Sequence, residues 1–258
     1  HTSPILSNGT GLSLAHNSLR VDNSSGVSIK GSYITSGQDA VAVELIQSNV
    51  NLNNSTILDI VSASTTTLST IQAYGGSCSI NSCVLDTGRN LFDFTDQNVI
   101  IRDPNIVKCK NVINSTNSTV KVNNIKCLNV VTDGSFILAQ DSIINIGKSN
   151  VAGTYFSLAG GVQTGVNSYL VNAIDSSVHI SFEQKALSGF NLSGRINVER
   201  SNVYLNSTFA LGSILHVLHQ NNIKSGSRLH LENISLLQDG VSTGPLFLVD
   251  NSSVLSIV

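Results

Sequence analysis

The sequence predicts an all-β protein whose chain forms a single-stranded, right-handed parallel β-helix (a β-solenoid) of about ten coils. Two observations predict this fold. A short alternating strand of the form V-x-I recurs from end to end, and one unit averages about 25 residues, within the range of solenoid repeats. Each unit also combines β-branched residues with Gly, Asn, Ser and Asp at its corners, which favours strands over helices.

The alternating strands fall into one column, which we expect to form one parallel sheet. Alternate residues of a strand point to opposite faces, so Val50, Val99, Val120, Val178 and Val254 are predicted to face the core. The members of the column are VSI at 27–29, VNL at 50–52, CSI at 78–80, VII at 99–101, VKV at 120–122, INI at 144–146, VHI at 178–180, INV at 196–198, LHL at 229–231 and VLSI at 254–257.

The register makes residues 1–258 one continuous solenoid domain, either whole or part of a longer rod. The spacing is uneven: 34 residues separate Ile144 from Val178, 18 separate Val178 from Ile196, and 33 separate Ile196 from Leu229. The long intervals predict loops that leave the stack at 154–166 and 220–227.

The composition fits a stack of coils. Only 12% of residues are charged, Trp and Met are absent, and there are 3 Pro. Uncharged side chains can stack on their copies without the repulsion that a ladder of like charges carries. A net charge of −2 gives no basic surface for nucleic acid, no apolar run is long enough to span a membrane, and the start at His1 suggests a mature or excised product.

Ten asparagines satisfy the Asn-x-Ser/Thr acceptor pattern for N-linked glycans. We expect Asn23, Asn117, Asn191 and Asn251 to share one corner of the coil, because each lies just before a V-x-I strand. We therefore expect a secreted or cell-surface glycoprotein whose sugars are attached at exposed corners. The ten are Asn8, Asn23, Asn53, Asn54, Asn114, Asn117, Asn191, Asn206, Asn233 and Asn251. Asn53, Asn206 and Asn233 each follow an alternating strand and are expected near a second corner.

The four cysteines lie in one third of the chain. VKCKNVI and IKCLNVV place Cys109 and Cys127 at the same point of consecutive coils, within disulfide range. The spacing also allows Cys78 to pair with Cys83 across a corner, or Cys83 to pair with Cys109 instead. Disulfides indicate an oxidising compartment. A metal site is the rival interpretation, but no His is interleaved with these cysteines.

The repeats resemble the right-handed parallel β-helices of the pectate-lyase-like superfamily. GSRLHLENISLL and DNSSVLSIV are more distantly similar to repeats of protozoan surface glycoproteins of the trypanosomatid dispersed-gene-family type. The resemblance implies an extracellular location and carbohydrate-related or adhesive roles.

The catalytic motifs of the enzymes in that superfamily do not occur. The Asn-Thr-Asp, Asp-Asp and Gly-His-Gly strings of polygalacturonases are missing from the sequence. The one segment in which to look for a lyase-like site is DFTDQNVIIRD, with Asp93, Asp96, Arg102 and Asp103. The histidines, His179, His216, His219 and His230 among them, are interpreted as structural. We therefore expect no catalytic residue, cofactor or metal.

These features predict a non-enzymatic extracellular glycoprotein that builds a fibre, surface appendage or matrix. End-to-end self-association is expected, because SSVLSIV and the N-terminal segment carry almost no charge to protect a strand edge. A carbohydrate- or cell-binding adhesin is the alternative, and a polysaccharide lyase or hydrolase with an unrecognised site is the second alternative.

Overall fold

The computed structural model describes residues 12–13, 19–31, 33–36, 41–59, 68–127, 129–130, 134–150, 157–158, 169–183, 191–207, 213–217, 221–238 and 245–258. The described residues contain strands and turns. The strands are β1 (Leu12–Ser13), β2 (Leu19–Asp22), β3 (Val27–Lys30), β4 (Tyr33–Ser36), β5 (Val43–Asn53), β6 (Thr56–Asp59), β7 (Ser69–Asn81), β8 (Val84–Asp86), β9 (Asn90–Arg102), β10 (Asn105–Lys108), β11 (Ile113–Thr116), β12 (Thr119–Asn123), β13 (Lys126–Cys127), β14 (Asn129–Val130), β15 (Ile137–Gln140), β16 (Ile143–Asn150), β17 (Ser157–Leu158), β18 (Tyr169–Ile174), β19 (Ser177–Glu183), β20 (Asn191–Glu199), β21 (Asn202–Ser207), β22 (Ser213–Val217), β23 (Asn221–Lys224), β24 (Arg228–Glu232), β25 (Ile234–Gln238), β26 (Phe247–Val249) and β27 (Val254–Ile257).

The strands stack into three faces, and every strand pair of the described residues is parallel, so the predicted parallel β-solenoid is confirmed. The first face holds β2, β11, β15, β18, β23 and β26, together with the first halves of β5, β7 and β9 and the second half of β20. The second face holds the second halves of β5, β7 and β9, together with β3, β12, β16, β19, β21, β24 and β27.

The number of turns that continuous sheets close on all three faces is lower than the ten coils predicted. The third face has one continuous sheet of six strands, β1, β4, β6, β8, β10 and β13, and then shorter sheets formed by β14 with β17 and by β20 with β22 and β25. About six turns are therefore closed by uninterrupted sheets in the described part of the chain.

The second face carries two inward columns, one at each V and one at each I of the repeat. Val50, Val99, Val120 and Val178 are at most 2% exposed, as predicted. The first column runs Val27, Val50, Cys78, Val99, Val120, Ile144, Val178, Val203, Leu229, Leu255, and the second runs Ile29, Leu52, Ile80, Ile101, Val122, Ile146, Ile180, Leu205, Leu231, Ile257.

Two predicted members of the column are wrong. Ile196 lies on the first face, opposite Val171, and its place in the column belongs to Val203. Val254 lies opposite the exposed Arg228 and is 48% exposed, because the inward residue of β27 is Leu255. A slip of one residue moves every side chain of a strand to the other face.

The first and third faces close the core. Phe92 and Phe94 of β9 are fully buried on the first face, and their rings lie 5.5 Å apart. The third face contributes Ile34, Ile57 and Leu85, which are stacked on one another in register. The core is therefore one continuous hydrophobic cluster along the axis.

Two corners turn the chain between faces with residues in the left-handed conformation. The first corner, between the first and second faces, has positive φ at Asn23, Gln47, Asp96, Asn117, Asp141, Asp175 and Arg200, and the second corner, between the second and third faces, has it at Asn54, Ser82, Asp103, Asn124 and Asn233. Asn and Asp tolerate this conformation better than other residues with a side chain, which explains the polar corners of the repeat.

A column of serines satisfies the buried backbone at the first corner; we call it the serine ladder. The Ser176 hydroxyl donates to the Ile174 carbonyl at 2.7 Å and accepts from the Ser142 N–H at 3.0 Å. The ladder serines are Ser24, Ser48, Ser118, Ser142, Ser176, Ser201, Ser227 and Ser253, and Gly76 and Gln97 interrupt it. A Cβ at Gly76 would lie 2.5 Å from the Ser48 carbonyl oxygen, which excludes a serine there.

The two predicted loops have different outcomes. Residues 221–224 of the segment at 220–227 form β23, which pairs with β20 and β26, so this loop prediction is wrong. In the segment at 154–166, Ser157–Leu158 form β17, and the rest lies outside the described residues. No helix in the described part of the chain is long and apolar enough to cross a membrane.

Candidate functional site on the corners and the second face

The acceptor asparagines lie mainly at the two corners. Asn23, Asn117 and Asn251 are exposed at the first corner, and Asn54 and Asn233 are exposed at the second. Asn53 and Asn206 occupy equivalent half-buried positions just before the second corner, as predicted. Glycosylation itself stays a prediction.

The remaining acceptors lie elsewhere. Asn191 is in β20 opposite Ile214 on the third face, so its predicted place beside Asn23 and Asn117 is wrong. Asn114 is half-buried on the first face, and its amide donates to Asp93 at 3.2 Å. Asn8 lies outside the described residues.

At the left-handed corners, Asn is associated with Ser or Thr two residues later. Among the described residues with positive φ, four of five asparagines are followed in this way: Asn23, Asn54, Asn117 and Asn233 are, and Asn124 is not. Of the eight other described residues that have a side chain and a positive φ, only Asp175 and Ser225 are followed by Ser or Thr two residues later. The corner requires a residue that tolerates left-handed backbone, but it does not require Ser or Thr two residues further on.

The predicted disulfides are not present among the cysteine side chains that the structure describes. No cysteines of the described residues lie at disulfide distance, and Cys78 and Cys83 are free thiols. The register places Cys127 opposite Ile106 and not opposite Cys109, so the assumed equivalence of the two segments is wrong by three residues. Burial raises the pKa of Cys78 to about 12 and also raises that of Cys83, so neither thiol is a ready nucleophile.

The acidic segment DFTDQNVIIRD does not converge on one site. Each of its three aspartates accepts a hydrogen bond from an asparagine one coil further on. The distances are 3.2 Å from Asn114 to Asp93, 2.5 Å from Asn117 to Asp96 and 2.8 Å from Asn124 to Asp103. Arg102 donates to Asn81 at 3.3 Å instead of to an acid. No group of three or more His, Cys, Asp or Glu in the described residues has the geometry of a metal site.

A groove of about 270 Å³ opens on the outer side of the second face, near its N-terminal end. We call it the polar groove. Its lining includes amide and hydroxyl side chains from three consecutive coils, Asn49, Asn51, Ser77, Ser79 and Asn98, together with the apolar Ile100. The Ser77 hydroxyl donates to Asn49 Oδ1 at 2.8 Å, which fixes part of the lining. Such a surface offers donors and acceptors without charge.

Three aromatic side chains stack further along the same face, and we call them the aromatic strip. His179 meets Tyr204 edge-on with ring centroids 4.7 Å apart, and Tyr204 stacks on His230 at 4.8 Å with an interplanar angle of 6°. The three residues are half-buried and lie opposite one another on β19, β21 and β24.

Hydrogen bonds hold two of the three rings. The Tyr204 hydroxyl donates to Glu232 Oε2, and this bond raises the pKa of Tyr204. The Ser181 hydroxyl lies 3.2 Å from His179 Nε2. The strip is therefore a fixed platform with polar groups along one edge.

Sequence reasoning treated these histidines as separate structural residues and missed the strip. The signal was their spacing, since residues 179, 204 and 230 are 25 and 26 apart, or one coil each. His216 lies in β22 on the third face, and His219 lies outside the described residues. Comparison of the chain with protein-family models, with curated proteins and with solved structures gave no match.

Proposed function

We propose that this chain is a non-enzymatic, N-glycosylated extracellular β-solenoid that serves as the rod of a fibre, surface appendage or matrix. The observation that carries the proposal is the association of corner asparagines with Ser or Thr two residues later. The fold accounts for Asn at a left-handed corner, as it does for Asp141 and Asp175. It does not account for the second half of the acceptor pattern, which is what N-glycosylation requires.

The placement of these asparagines supports the same proposal. Asn23, Asn54, Asn117, Asn233 and Asn251 are exposed, and their side chains lie outside the inward columns. Sugars there leave the core undisturbed and keep the corners hydrated. The resemblance to pectate-lyase-like β-helices and to trypanosomatid surface repeats is a hypothesis that agrees with an extracellular location.

Intact-mass and peptide analysis of the chain secreted from a eukaryotic host tests the proposal. We expect N-glycosidase treatment to remove several glycans and peptide mapping to locate them at corner acceptors. Asn53 and Asn54 are adjacent, so at most one of them should be occupied. Asn124, a left-handed corner asparagine followed by Lys126, is the internal control and should stay bare. An unchanged mass after treatment contradicts the proposal.

Head-to-tail stacking into filaments belongs to this proposal. The residues of β27, VLSI, carry no charge that would oppose pairing with another strand. Negative-stain electron microscopy of the purified chain should show filaments, and Leu255→Pro should abolish them while keeping the β-sheet circular dichroism spectrum. Monodisperse particles at all concentrations contradict the stacking.

A carbohydrate-binding adhesin is the second candidate, and the polar groove favours it. Amide and hydroxyl side chains that project from three coils match the hydroxyl groups of a neutral sugar. Calorimetric titration with neutral oligosaccharides should show binding that Asn51→Leu abolishes. Asn145→Leu is the matched control, because Asn145 is an exposed asparagine in the same outward row but outside the groove. Equal binding by both variants contradicts a role for the groove.

A further inference from the structure

Asn206 is the acceptor asparagine that lies beside the aromatic strip. Tyr204 and Asn206 are two residues apart on β21, so both side chains project from the outer side of the second face. Asn206 lies opposite Ser181 on one neighbouring strand and opposite Glu232 on the other. These are the residues whose side chains contact His179 and Tyr204. Thr208 completes the Asn-Ser-Thr acceptor.

The sequence before Asn206 differs from that before the other acceptors. Of the ten acceptor asparagines, Asn206 alone has an aromatic residue two positions before it. At the corners, the equivalent positions before Asn54 and Asn233 are Leu52 and Leu231, which point into the core. The pairing of a ring and a glycan acceptor on one strand is therefore a local feature and not a consequence of the repeat.

We propose that the N-linked glycan of Asn206 folds back along the second face and packs its first N-acetylglucosamine against the outward edge of Tyr204 in the aromatic strip. The outward edge is the part that a sugar can reach, because His179 and His230 lie against the ring from the two neighbouring strands. The inference rests on the N-glycosylation proposed above. One face of a pyranose ring consists mainly of C–H groups, which pack on an aromatic ring, while its hydroxyl and acetamido groups need polar partners. Ser181 and Glu232 supply such groups beside the ring.

The attachment point determines the occupant. A sugar joined to Asn206 is held within a few ångströms of Tyr204, at an effective concentration of millimolar or more, so a weak contact suffices to fill the platform. The ring itself is already fixed by Glu232 and by the stack on His230, so little side-chain freedom is lost on contact.

A double-mutant cycle in a glycosylating host tests the contact. Thr208→Ala removes the acceptor pattern without changing Asn206 or Tyr204, and Tyr204→Leu removes the ring. We expect Thr208→Ala to lower the melting temperature by about 2–4 °C when Tyr204 is present and to have no effect in the Tyr204→Leu background. Thr119→Ala, which removes the Asn117 acceptor at a corner without an aromatic ring, is the matched control and should act equally in both backgrounds.

A nuclear magnetic resonance measurement reports the contact directly. The acetamido methyl protons of the Asn206 glycan should be shifted by the ring current of Tyr204, and the shift should vanish in Tyr204→Leu. Tyr204→Phe keeps the ring and should keep the shift, which provides a second variant if Tyr204→Leu does not fold.

The outcomes separate this inference from the proposed function. Equal thermal losses in both backgrounds, with Asn206 occupied, overturn the contact with Tyr204 and leave the glycoprotein proposal intact. An Asn206 without glycan, beside corner acceptors that carry glycans, also overturns the contact alone. Saturable binding of a free N-acetylglucosamine oligomer to the aromatic strip of the glycosylated protein has the same consequence, because the strip would then be unoccupied. Absence of glycan from every acceptor overturns the proposed function as well.

Discussion

The serine ladder can be tested with two neighbouring serines, one buried at the first corner and one exposed at the start of β19. Ser176 is 6% exposed and belongs to the ladder, whereas Ser177 is exposed on the second face. Replacing Ser176 with Ala removes the acceptor of the Ser142 N–H, which lies at 3.0 Å. The Ile174 carbonyl also loses a donor, but it keeps the Asp141 N–H at 3.0 Å. The substitution therefore leaves one buried donor unsatisfied.

The expected cost follows from that single donor. An unsatisfied buried polar group costs about 1–3 kcal/mol, so Ser176→Ala should lower the free energy of unfolding by that amount. Ser177→Ala makes the same chemical change at the surface and should stay within about 0.5 kcal/mol of the parent. Chemical denaturation followed by circular dichroism measures both variants, and hydrogen exchange should show faster exchange of the Ser142 amide in Ser176→Ala alone. Equal stabilities of the two variants would refute the reasoning, because the ladder would then contribute nothing.

Three further predictions concern the core, the strip and the C-terminal corner. Val120→Asp places a charge at a position that is 0% exposed and should lower the free energy of unfolding by about 3–5 kcal/mol in denaturation experiments. Lys121→Asp on the outer side should be nearly neutral, and similar melting of the two variants contradicts the register. The hydrogen bond from Tyr204 to Glu232 raises the pKa of Tyr204, so the stabilisation from this bond is present below the ordinary tyrosine pKa and is lost as pH rises through the raised pKa. Glu232→Gln should lower the titration midpoint of Tyr204 measured by phenolate absorbance, and an unchanged midpoint refutes the bond. Hydrogen bonds from serine side chains and backbone N–H groups lower the pKa of Asp250 to about 2, so its contribution to stability is present at neutral pH and is lost as pH falls towards 2. A titration of this carboxyl group by nuclear magnetic resonance with an ordinary midpoint near 4 contradicts the lowered pKa.

The sequence predicted the repeat well because inward positions have a simple physical requirement. Eight of the ten assigned column members lie where they were expected, since an apolar residue at every other position is the condition for closing the core. The error at Ile196 arose because two strands of one coil look alike, whereas the error at Val254 was a slip of one residue within VLSI at 254–257. INV at 196–198 and VYL at 203–205 are both alternating, and only the interval distinguishes them: Val203 follows Val178 by 25 residues, whereas Ile196 follows it by 18.

Contacts between coils were harder to predict than the columns. The equivalence of Cys109 and Cys127 relied on similar flanking letters, but β10 and β13 pair with Ile106 opposite Cys127, and a register shift falls between Ile106 and Lys108. The aromatic strip depends on three strands that are distant in sequence but adjacent in space, so no local pattern reveals it. Positions fixed by burial can be predicted from the sequence of one coil. A site formed across several coils can be predicted only when the register of each of those coils is known.

The low charge of the chain follows from the same stacking. A residue on an outer row has a neighbour about 4.8 Å away on each side, so two like charges in succession repel along the row. The acids of β9 and its corners meet asparagines in the next coil, and Glu199 meets Lys224 at 2.8 Å. Asp141 and Asp175 occupy successive places at the first corner, and there Arg200 donates two hydrogen bonds to Asp175, at 2.6 and 2.7 Å. Asparagine tolerates the left-handed corner and can donate a hydrogen bond to a neighbouring acid without adding charge. The stacking of coils therefore explains the abundance of Asn, and function has to explain only the Ser or Thr two residues after it.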